Sequence, residues 1–254
     1  MKVYCVQLDI AWEQNALNHA RVFSLLEACE PEPGSLVVLP EMFASGFSMN
    51  VAKISDSEMG ETQSFLAASA TAFNVFIVGG VVETTTNGRG LNQALVYDPQ
   101  GREVARYTKM QPFSLGGESD HYDAGESVVT FKWGGFSVAP FVCYDLRFPE
   151  HFRAAVHAGA TMYTVIANWP ERRSAHWVSL LQARAIENQA YVIGVNRCGR
   201  DPFLEYSGGS MVIEPSGAIL IEAGDIECVV SAEIDLESLT AYRSQLPFLA
   251  DAKR

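Results

Sequence analysis

The amino-acid sequence predicts an α/β protein built as a four-layer α-β-β-α sandwich. Strand and helix patterns alternate at first, turn clusters in the middle are typical of an antiparallel meander, and further strands follow a long helix near the end. A chain that mixes βα units with hairpins is expected to form two sheets that pack together, with helices covering the outer faces.

The first half of the chain supplies the βα units. Residues 2–10 alternate apolar and polar side chains as in a first strand, and a helical stretch runs from about Ala16 to Cys29. Residues 35–41 (SLVVLPE) form a continuous apolar run, which is typical of a strand covered on both faces. A long loop and an alanine-rich helix then lead into a strand at 74–83.

The middle of the chain changes character. The turn clusters 84–90 (TTTNGRG) and 98–101 (DPQG) flank two short strand patterns and predict an antiparallel meander. A strand follows at 136–145, and Pro149 opens the next helix, since proline suits a first helical position. The remaining strands are predicted at 161–170, 190–197, 208–214, 218–222 and 228–235.

A long amphipathic helix is predicted at 174–189, and Ser174 is expected to cap it. Its apolar stripe consists of Trp177, Leu180, Leu181 and Ala185, at positions i, i+3, i+4 and i+8. No Pro/Ser-rich linker, charge block or internal repeat separates the segments, so residues 1–254 are predicted to form a single domain.

Composition limits the classes of partner. The chain has 254 residues, of which 48% are hydrophobic, and a formal net charge of −12. Without a basic surface, neither nucleic acid nor an anionic membrane is expected as a main partner. No apolar run is long enough to predict a membrane span. The cysteines are odd in number and scattered without a C-x-x-C pair, which predicts reduced thiols in a cytoplasmic protein.

Three segments carry residues suited to chemistry. Glu41 directly follows a buried strand, where functional groups of open α/β sheets cluster, and could be a base, a ligand or an edge cap. Lys109 follows a later strand and, taken alone, is typical of a solvated surface lysine. Cys143 stands at a strand-to-helix turn, a geometry that exposes a nucleophile. Cys5 and Cys228, in contrast, fit small core residues.

In this order, Glu41, Lys109 and Cys143 resemble the active-site residues of the nitrilase superfamily of carbon–nitrogen hydrolases. Further matching segments run from residue 1 to about 235 and include LPEMF, YTKMQPF, GGESDHYDAG, VCYDLRFPE, IANWP and ARAIENQAYVIGVNR. The resemblance implies the nitrilase-type sandwich, a single carbon–nitrogen hydrolase domain, no cofactor or metal, and a homodimer or larger homo-oligomer.

The resemblance also implies roles for these residues. Glu41 would be the general base that takes the proton of Cys143, and Lys109 would stabilise the oxyanion. Glu118 matches a second glutamate of the family and would orient Lys109 or help to place the substrate. The backbone N–H of Tyr144 would complete the oxyanion hole. The implied reaction is hydrolysis of an amide through a Cys143 thioester, with release of ammonia.

Within the superfamily, the segments LPEMFASGFSM, ANWPERRSAHW and ARAIENQ resemble the omega-amidase branch. This branch hydrolyses the distal amide of 2-oxo dicarboxylic monoamides such as 2-oxoglutaramate and 2-oxosuccinamate. The predicted substrate-binding residues are Tyr144, Phe43, Asn168, Trp169 and Arg173.

The substrate carboxylate needs a cation, for which Arg172 and Arg173 are candidates. Arg147 is another candidate, although a structural ion pair with Asp145 or Glu150 is the favoured interpretation for it. Phe43 and Trp169 are predicted as pocket walls, but either could equally be a core aromatic residue.

Several alternatives stay open at this point. Another branch of the superfamily (an aliphatic amidase, a carbamoyl amino acid hydrolase or a nitrilase) would keep the same three residues. A papain-like enzyme would pair Cys143 with one of five histidines, although no local signature surrounds Cys143. The segment 118–123 (ESDHYD) offers metal ligands but lacks a known ligand spacing. A catalytically inactive binding module on the same fold is the non-enzymatic alternative. Nucleotide-binding motifs are absent from the sequence.

Overall fold

Two β-sheets pack face to face, and helices cover the outer side of each sheet. The predicted α-β-β-α sandwich is therefore confirmed. The structure is a computed structural model that describes residues 1–56 and 60–252. The strands are β1 Lys2–Gln7, β2 Leu36–Val38, β3 Phe76–Thr84, β4 Gly90–Tyr97, β5 Glu103–Thr108, β6 Tyr122–Asp123, β7 Phe131–Trp133, β8 Phe136–Val142, β9 Met162–Ala167, β10 Tyr191–Asn196, β11 Cys198–Arg200, β12 Glu205–Ser207, β13 Met211–Ile213, β14 Ile219–Glu222 and β15 Cys228–Glu233. The helices are α1 Asn15–Cys29, α2 Val51–Ile54, α3 Glu61–Phe73, α4 Glu118–His121, α5 Pro149–His157, α6 Ser174–Asn188 and α7 Leu236–Gln245.

Both sheets combine a parallel centre with antiparallel flanks. The first sheet has the order β15-β1-β2-β3-β4-β5, with β6 paired to β4. In it β1, β2 and β3 are parallel, and β3, β4 and β5 form the predicted antiparallel meander. The second sheet has the order β14-β13-β10-β9-β8-β7, in which β8, β9 and β10 are parallel. The short strands β11 and β12 form a separate hairpin.

Burial on both faces explains the continuous apolar runs in the sequence. Along β1, Val3 and Cys5 face the core between the two sheets, whereas Tyr4 and Val6 pack beneath α1 and α3. On the far side of the second sheet, Phe152 of α5 joins the core, as do Trp177, Leu181 and Ala185 of α6. No helix in the described residues is long and apolar enough to cross a membrane.

Some strands and helices begin or end at residues other than those predicted from the sequence. The strand predicted at 136–145 ends at Val142, because Cys143 adopts a left-handed conformation (φ 48°) and begins a 3₁₀ turn that reaches Arg147. The prediction that Ser174 caps α6 is wrong. Ser174 is already the first helical residue, and Arg173, which precedes it, makes no capping hydrogen bond through its side chain. Pro149 opens α5 as predicted.

Strand direction brings the site residues to one edge of the fold. Two antiparallel reversals separate β3 from β5, so β5 runs in the same direction as β2. The segments after β2 and β5, which carry Glu41 and Lys109, therefore leave the first sheet on the same side. Cys143 and Asn168 follow the parallel strands β8 and β9 of the second sheet.

Gly80 in β3 lies directly against the segment that carries Glu41. A Cβ at position 80 would lie 2.3 Å from the backbone nitrogen of Met42 and 2.7 Å from Cα of Glu41. Both contacts are with backbone, which cannot rotate away as a side chain could. A glycine is therefore required where β3 passes this segment.

We expect Gly80→Ala to destabilise the fold by ~1–3 kcal/mol, the usual range for overpacking, and to displace Glu41. Chemical denaturation measures the first effect and amide turnover the second. Gly224→Ala is the matched control, since no atom lies within 4 Å of its Cβ position. Wild-type stability and turnover in Gly80→Ala would contradict the required close approach.

Candidate active site

Glu41, Lys109 and Glu118 form a buried cluster at this edge. Their side chains are 0%, 1% and 0% exposed, respectively. Nζ of Lys109 lies 2.9 Å from Oε1 of Glu41, and 2.8 and 3.0 Å from the two carboxylate oxygens of Glu118. The sequence-based description of Lys109, taken alone, as a solvated lysine is therefore wrong.

The backbone holds Lys109 in place on both sides. Its N–H donates to the carbonyl oxygen of Asn92 at 2.8 Å, and its own carbonyl accepts from Gly125 N–H at 2.8 Å. Burial alone would lower the pKa of Lys109, but the charges of Glu118 and Glu41 raise that pKa well above its usual value. The ammonium group consequently stays charged inside the protein.

Glu41 is held in the ionised form. Burial acts to raise the pKa of Glu41, but the Lys109 charge and hydrogen bonds from Asn92 and Asn168 bring that pKa below its usual value. The backbone N–H of Asn168 donates to Oε2 of Glu41 at 2.8 Å, and Nδ2 of Asn168 donates to the Glu41 carbonyl at 2.6 Å. Glu41 is therefore a fixed, deprotonated carboxylate, the form that a general base requires.

Cys143 lies beside this carboxylate at the end of β8. Its thiol is half-buried and donates to the carbonyl oxygen of Asn168, which lies 4.0 Å from the sulfur. Burial and the negative charge of Glu41 raise the pKa of the Cys143 thiol well above its usual value, against the opposing effect of Lys109. The resting thiol is protonated, so its proton must move to a base as the sulfur attacks.

Asp145 supports the turn that carries Cys143. Its carboxylate accepts hydrogen bonds from the backbone N–H of Val142 at 2.9 Å, the hydroxyl of Tyr107 at 2.8 Å and the backbone N–H of Gln111 at 2.9 Å. Burial raises the pKa of Asp145 to about 7. The carboxylate thereby ties the Cys143 turn to the loop that carries Lys109.

The prediction that Arg147 forms an ion pair with Asp145 or Glu150 is wrong. In the part of the chain that the structure describes, Arg147 makes neither of these salt bridges. The guanidinium carbon of Arg147 lies 4.7 Å from the ring centre of Trp169, and Nη2 lies 3.3 Å from Nδ1 of His176. Because Asp145 is already satisfied by other donors, Arg147 is free to turn towards the open space above Cys143.

That space is a cavity of about 600 Å³ with Cys143 in its wall. Tyr144, Asn168, Trp169 and Arg173, all predicted to bind substrate, line it, and the other lining residues are Trp12, Phe47, Ser48, Met49, Phe113, Leu115, Gly116, Arg147, Pro170, Arg172, Asp201, Phe203, Leu204 and Tyr206. The prediction that Phe43 forms a pocket wall is wrong. Phe43 is fully buried beneath α1 and α3, beside His19 and Phe65.

Three arginines line the cavity together with one acidic residue, Asp201, so the lining has a net positive charge. Arg147, Arg172 and Arg173 all line it, and within residues 1–56 and 60–252 none of them forms a salt bridge with an acidic side chain. Burial and the neighbouring arginine charges lower the pKa of Arg173. In a protein of net charge −12, such a group of uncompensated cations favours an anionic ligand.

The geometry favours neither a Cys–His mechanism nor a metal site. His19 stacks on Phe65, and His176 contacts Arg147, whereas Glu41 and Lys109 are among the charged groups that act on the thiol of Cys143. Of the acidic residues at 118–123, Glu118 is paired with Lys109 and Asp123 with Arg89. No group of three or more His, Cys, Asp or Glu side chains in the described ranges is placed to hold a metal ion.

Comparison with known proteins agrees with this arrangement. The carbon–nitrogen hydrolase family pattern matches residues 2–244. The chain is 34% identical to 2-oxoglutaramate amidase of Bacillus subtilis (strain 168), covering 99% of this chain and 97% of that protein. It is 37% identical to omega-amidase YafV of Escherichia coli (strain K12), covering 99% and 96%. The structure also superposes on that of XC1258 of Xanthomonas campestris, with a TM-score of 0.94 and 34% identity over 100% of this chain and 97% of that chain. XC1258 is a CN-hydrolase superfamily protein, and its crystal structure has an arsenic adduct in the active site. The chain therefore belongs to the carbon–nitrogen hydrolase family.

Proposed function

We propose that this enzyme is an omega-amidase, which hydrolyses the terminal amide of a small 2-oxo dicarboxylic monoamide such as 2-oxoglutaramate or 2-oxosuccinamate. The observation that carries the proposal is a protonated thiol in the wall of a positive cavity, with the ion pair of the Glu41 carboxylate and the Lys109 ammonium group buried beside it. Similarity to a 2-oxoglutaramate amidase and to an omega-amidase over nearly the full chain supports the choice of substrate.

In the first half-reaction, Glu41 takes the thiol proton while the sulfur of Cys143 attacks the amide carbon. The oxyanion that forms is stabilised by Nζ of Lys109 and the backbone N–H of Tyr144. Glu41 then passes the proton to the amide nitrogen, the carbon–nitrogen bond breaks, and ammonia leaves. The product of this step is a thioester of Cys143.

In the second half-reaction, Glu41 takes a proton from water as the water oxygen attacks the thioester carbon. The same two donors stabilise the second oxyanion. The carbon–sulfur bond then breaks, the sulfur recovers its proton through Glu41, and the carboxylic acid leaves. The low pKa of Glu41 returns it to the carboxylate form after each proton transfer.

Glu118 positions the ammonium group. It accepts from Nζ of Lys109 through both oxygens, and one of these oxygens also accepts from the backbone N–H of Phe113 at 2.6 Å. The carboxylate therefore links Lys109 to the loop that lines the cavity. A residue in this position affects the oxyanion through Lys109 and has no covalent role.

We assign Arg173 and Arg147 to bind the substrate carboxylate, which lies at the opposite end of the substrate from the reacting amide. The guanidinium carbon of Arg173 lies 5.4 Å from the ring centre of Phe113, and that of Arg147 lies over Trp169. Aromatic faces hold a guanidinium group in place without neutralising it. Both cations thus stay available for a carboxylate whose amide end reaches Cys143.

The enzyme is further proposed to act without a cofactor, in the cytoplasm, as a homodimer or larger homo-oligomer. The five cysteines are all free thiols, the state that a reducing compartment maintains. Apolar side chains on the outer surface, including Ile186 of α6 and Phe248, are 52% and 59% exposed and support burial by a second copy.

Ammonia release from a substrate panel tests the proposal. We expect 2-oxoglutaramate and 2-oxosuccinamate to give a higher kcat/KM than glutamine, asparagine, a carbamoyl amino acid or a nitrile. The cationic cavity accepts a monoanion, whereas the α-ammonium group of an amino acid would meet like charges. A preference for the nitrile or the carbamoyl compound would move the enzyme to another branch.

Substitution of the cluster residues tests the assigned roles. We expect Cys143→Ala and Glu41→Gln to abolish turnover, and Lys109→Ala to lower kcat by at least ~10²-fold, the usual loss for one oxyanion donor. Glu118→Gln should lower kcat less than Cys143→Ala does. Turnover of Lys109→Ala within a few-fold of the wild type, or activity of Glu41→Gln, would contradict the mechanism.

Arg173→Gln tests the carboxylate contact. Losing one charged hydrogen bond of ~1.5–3 kcal/mol should raise KM about 10- to 100-fold, with a smaller change in kcat. The control is Arg102→Gln, which removes a surface ion pair in which the Arg102 side chain is 72% exposed. An unchanged KM for the 2-oxo monoamide in Arg173→Gln would assign the carboxylate to other residues.

A further inference from the structure

Asn92 of β4 is a buried amide that lies between the two carboxylates of the cluster. Its side chain is almost fully buried, and Nδ2 lies 2.8 Å from Oε1 of Glu41 and 2.8 Å from Oε1 of Glu118. Nζ of Lys109 contacts the same two oxygens at 2.9 and 3.0 Å. The carboxylates are therefore bridged twice, once by a cation and once by a neutral donor.

The chemistry of the partners fixes the orientation of this amide. Ionised carboxylates only accept hydrogen bonds, so the group between them must be the NH₂ group of Asn92, and its two hydrogens match the two acceptors. Oδ1 of Asn92 finds no protein donor among the residues that the structure describes. The side chain is consequently held in the cluster by its nitrogen.

We propose that Asn92 is a positioning residue for the reaction, which fixes Oε1 of Glu41 beside Lys109 and holds the carboxylates of Glu41 and Glu118 together around a single ammonium group. The proposal rests on the proposed function only in taking Glu41 as the base. It adds a fourth side chain to the group that controls the proton of Cys143.

Electrostatics explain why a neutral donor suits this position. Two buried carboxylates face one ammonium group, and like charges at this distance would otherwise drive one carboxylate to take up a proton. A second lysine would neutralise the cluster and weaken Glu41 as a base. An amide stabilises both carboxylates by hydrogen bonding while it adds no charge, so Glu41 keeps a higher affinity for the thiol proton than it would beside a second cation.

The pKa of Glu41 agrees with this role, since the hydrogen bond from Asn92 acts with Lys109 to offset the effect of burial and bring that pKa below its usual value. The other titratable or charged groups that act on the cluster are Lys109, Glu118, Cys143, Tyr122 and Asp145. None of these side chains is altered by substitution at position 92.

The test compares two variants with a control on the same strand. Asn92→Asp keeps the shape but replaces a donor by a third carboxylate, and Asn92→Ala removes the donor. Gln93→Ala is the matched control, because Gln93 is equally buried in β4 but its Nε2 bonds instead to Oγ1 of Thr108 at 3.0 Å. Thermal unfolding of each protein shows which of them are folded at the assay temperature.

The first measurement is the pH profile of kcat/KM. Removing a hydrogen bond raises the pKa of Glu41, so the acid limb of the profile should move upward by about one pH unit in Asn92→Ala and further in Asn92→Asp. At neutral pH, where Glu41 is still ionised, kcat should fall at least ~10-fold because Oε1 of Glu41 is no longer held in place, while KM changes less than ~3-fold because Asn92 does not line the cavity. Gln93→Ala should leave the acid limb in place.

The second measurement is the rate at which iodoacetamide alkylates Cys143, followed against pH by mass spectrometry without any amide substrate. Its midpoint should move upward in Asn92→Asp and Asn92→Ala, since loss of the donor disfavours a thiolate beside Glu41. A shifted midpoint in an enzyme that hydrolyses no amide of the panel would support the role of Asn92 and overturn the proposed function. Midpoints and acid limbs that stay within ~0.3 pH units of the wild type in folded Asn92→Asp would overturn the role of Asn92.

Discussion

The buried ammonium group of Lys109 is the interaction on which the rest of the site depends. Two carboxylates, at 0% exposure, are tolerated in the interior because this one cation lies within 3.0 Å of both. Removing it would leave uncompensated charges in a low-dielectric environment, a change that commonly costs several kcal/mol. The same charge keeps Glu41 deprotonated, and the proposed mechanism also uses it to stabilise the oxyanion. Structural and catalytic demands therefore act on one nitrogen atom.

The sequence predicted the layers and the main site residues because both leave local signals. Continuous apolar strands showed that two faces are covered, and the Cys143 segment carries a specific pattern before a proline-initiated helix. The meeting of Glu41, Lys109 and Cys143 could not be derived from their spacing in the sequence alone, since it depends on the relative direction of β2 and β5. The resemblance to a family supplied that step.

The residues that the sequence did not reveal act through long-range contacts. Asn92 stands in mid-strand with no distinctive neighbours, and its role arises only when residues 41 and 118 meet it. Asp145 was expected to pair with Arg147, its close neighbour in sequence, but it bonds across to Tyr107 and Gln111 instead. Phe43, two residues from Glu41, points to the opposite face of the first sheet. In each case tertiary geometry outweighed sequence proximity.

The distribution of the site over both sheets has a further consequence. Glu41, Lys109 and Asn92 come from the first sheet, while Cys143 and Asn168 come from the second. The alignment of thiol and base is thus a measure of how the two layers sit against each other. A slip of a fraction of an ångström across the central core would separate them while every strand kept its own hydrogen bonds. For this molecule, turnover therefore reports a relative shift of the two sheets more sensitively than secondary-structure content does.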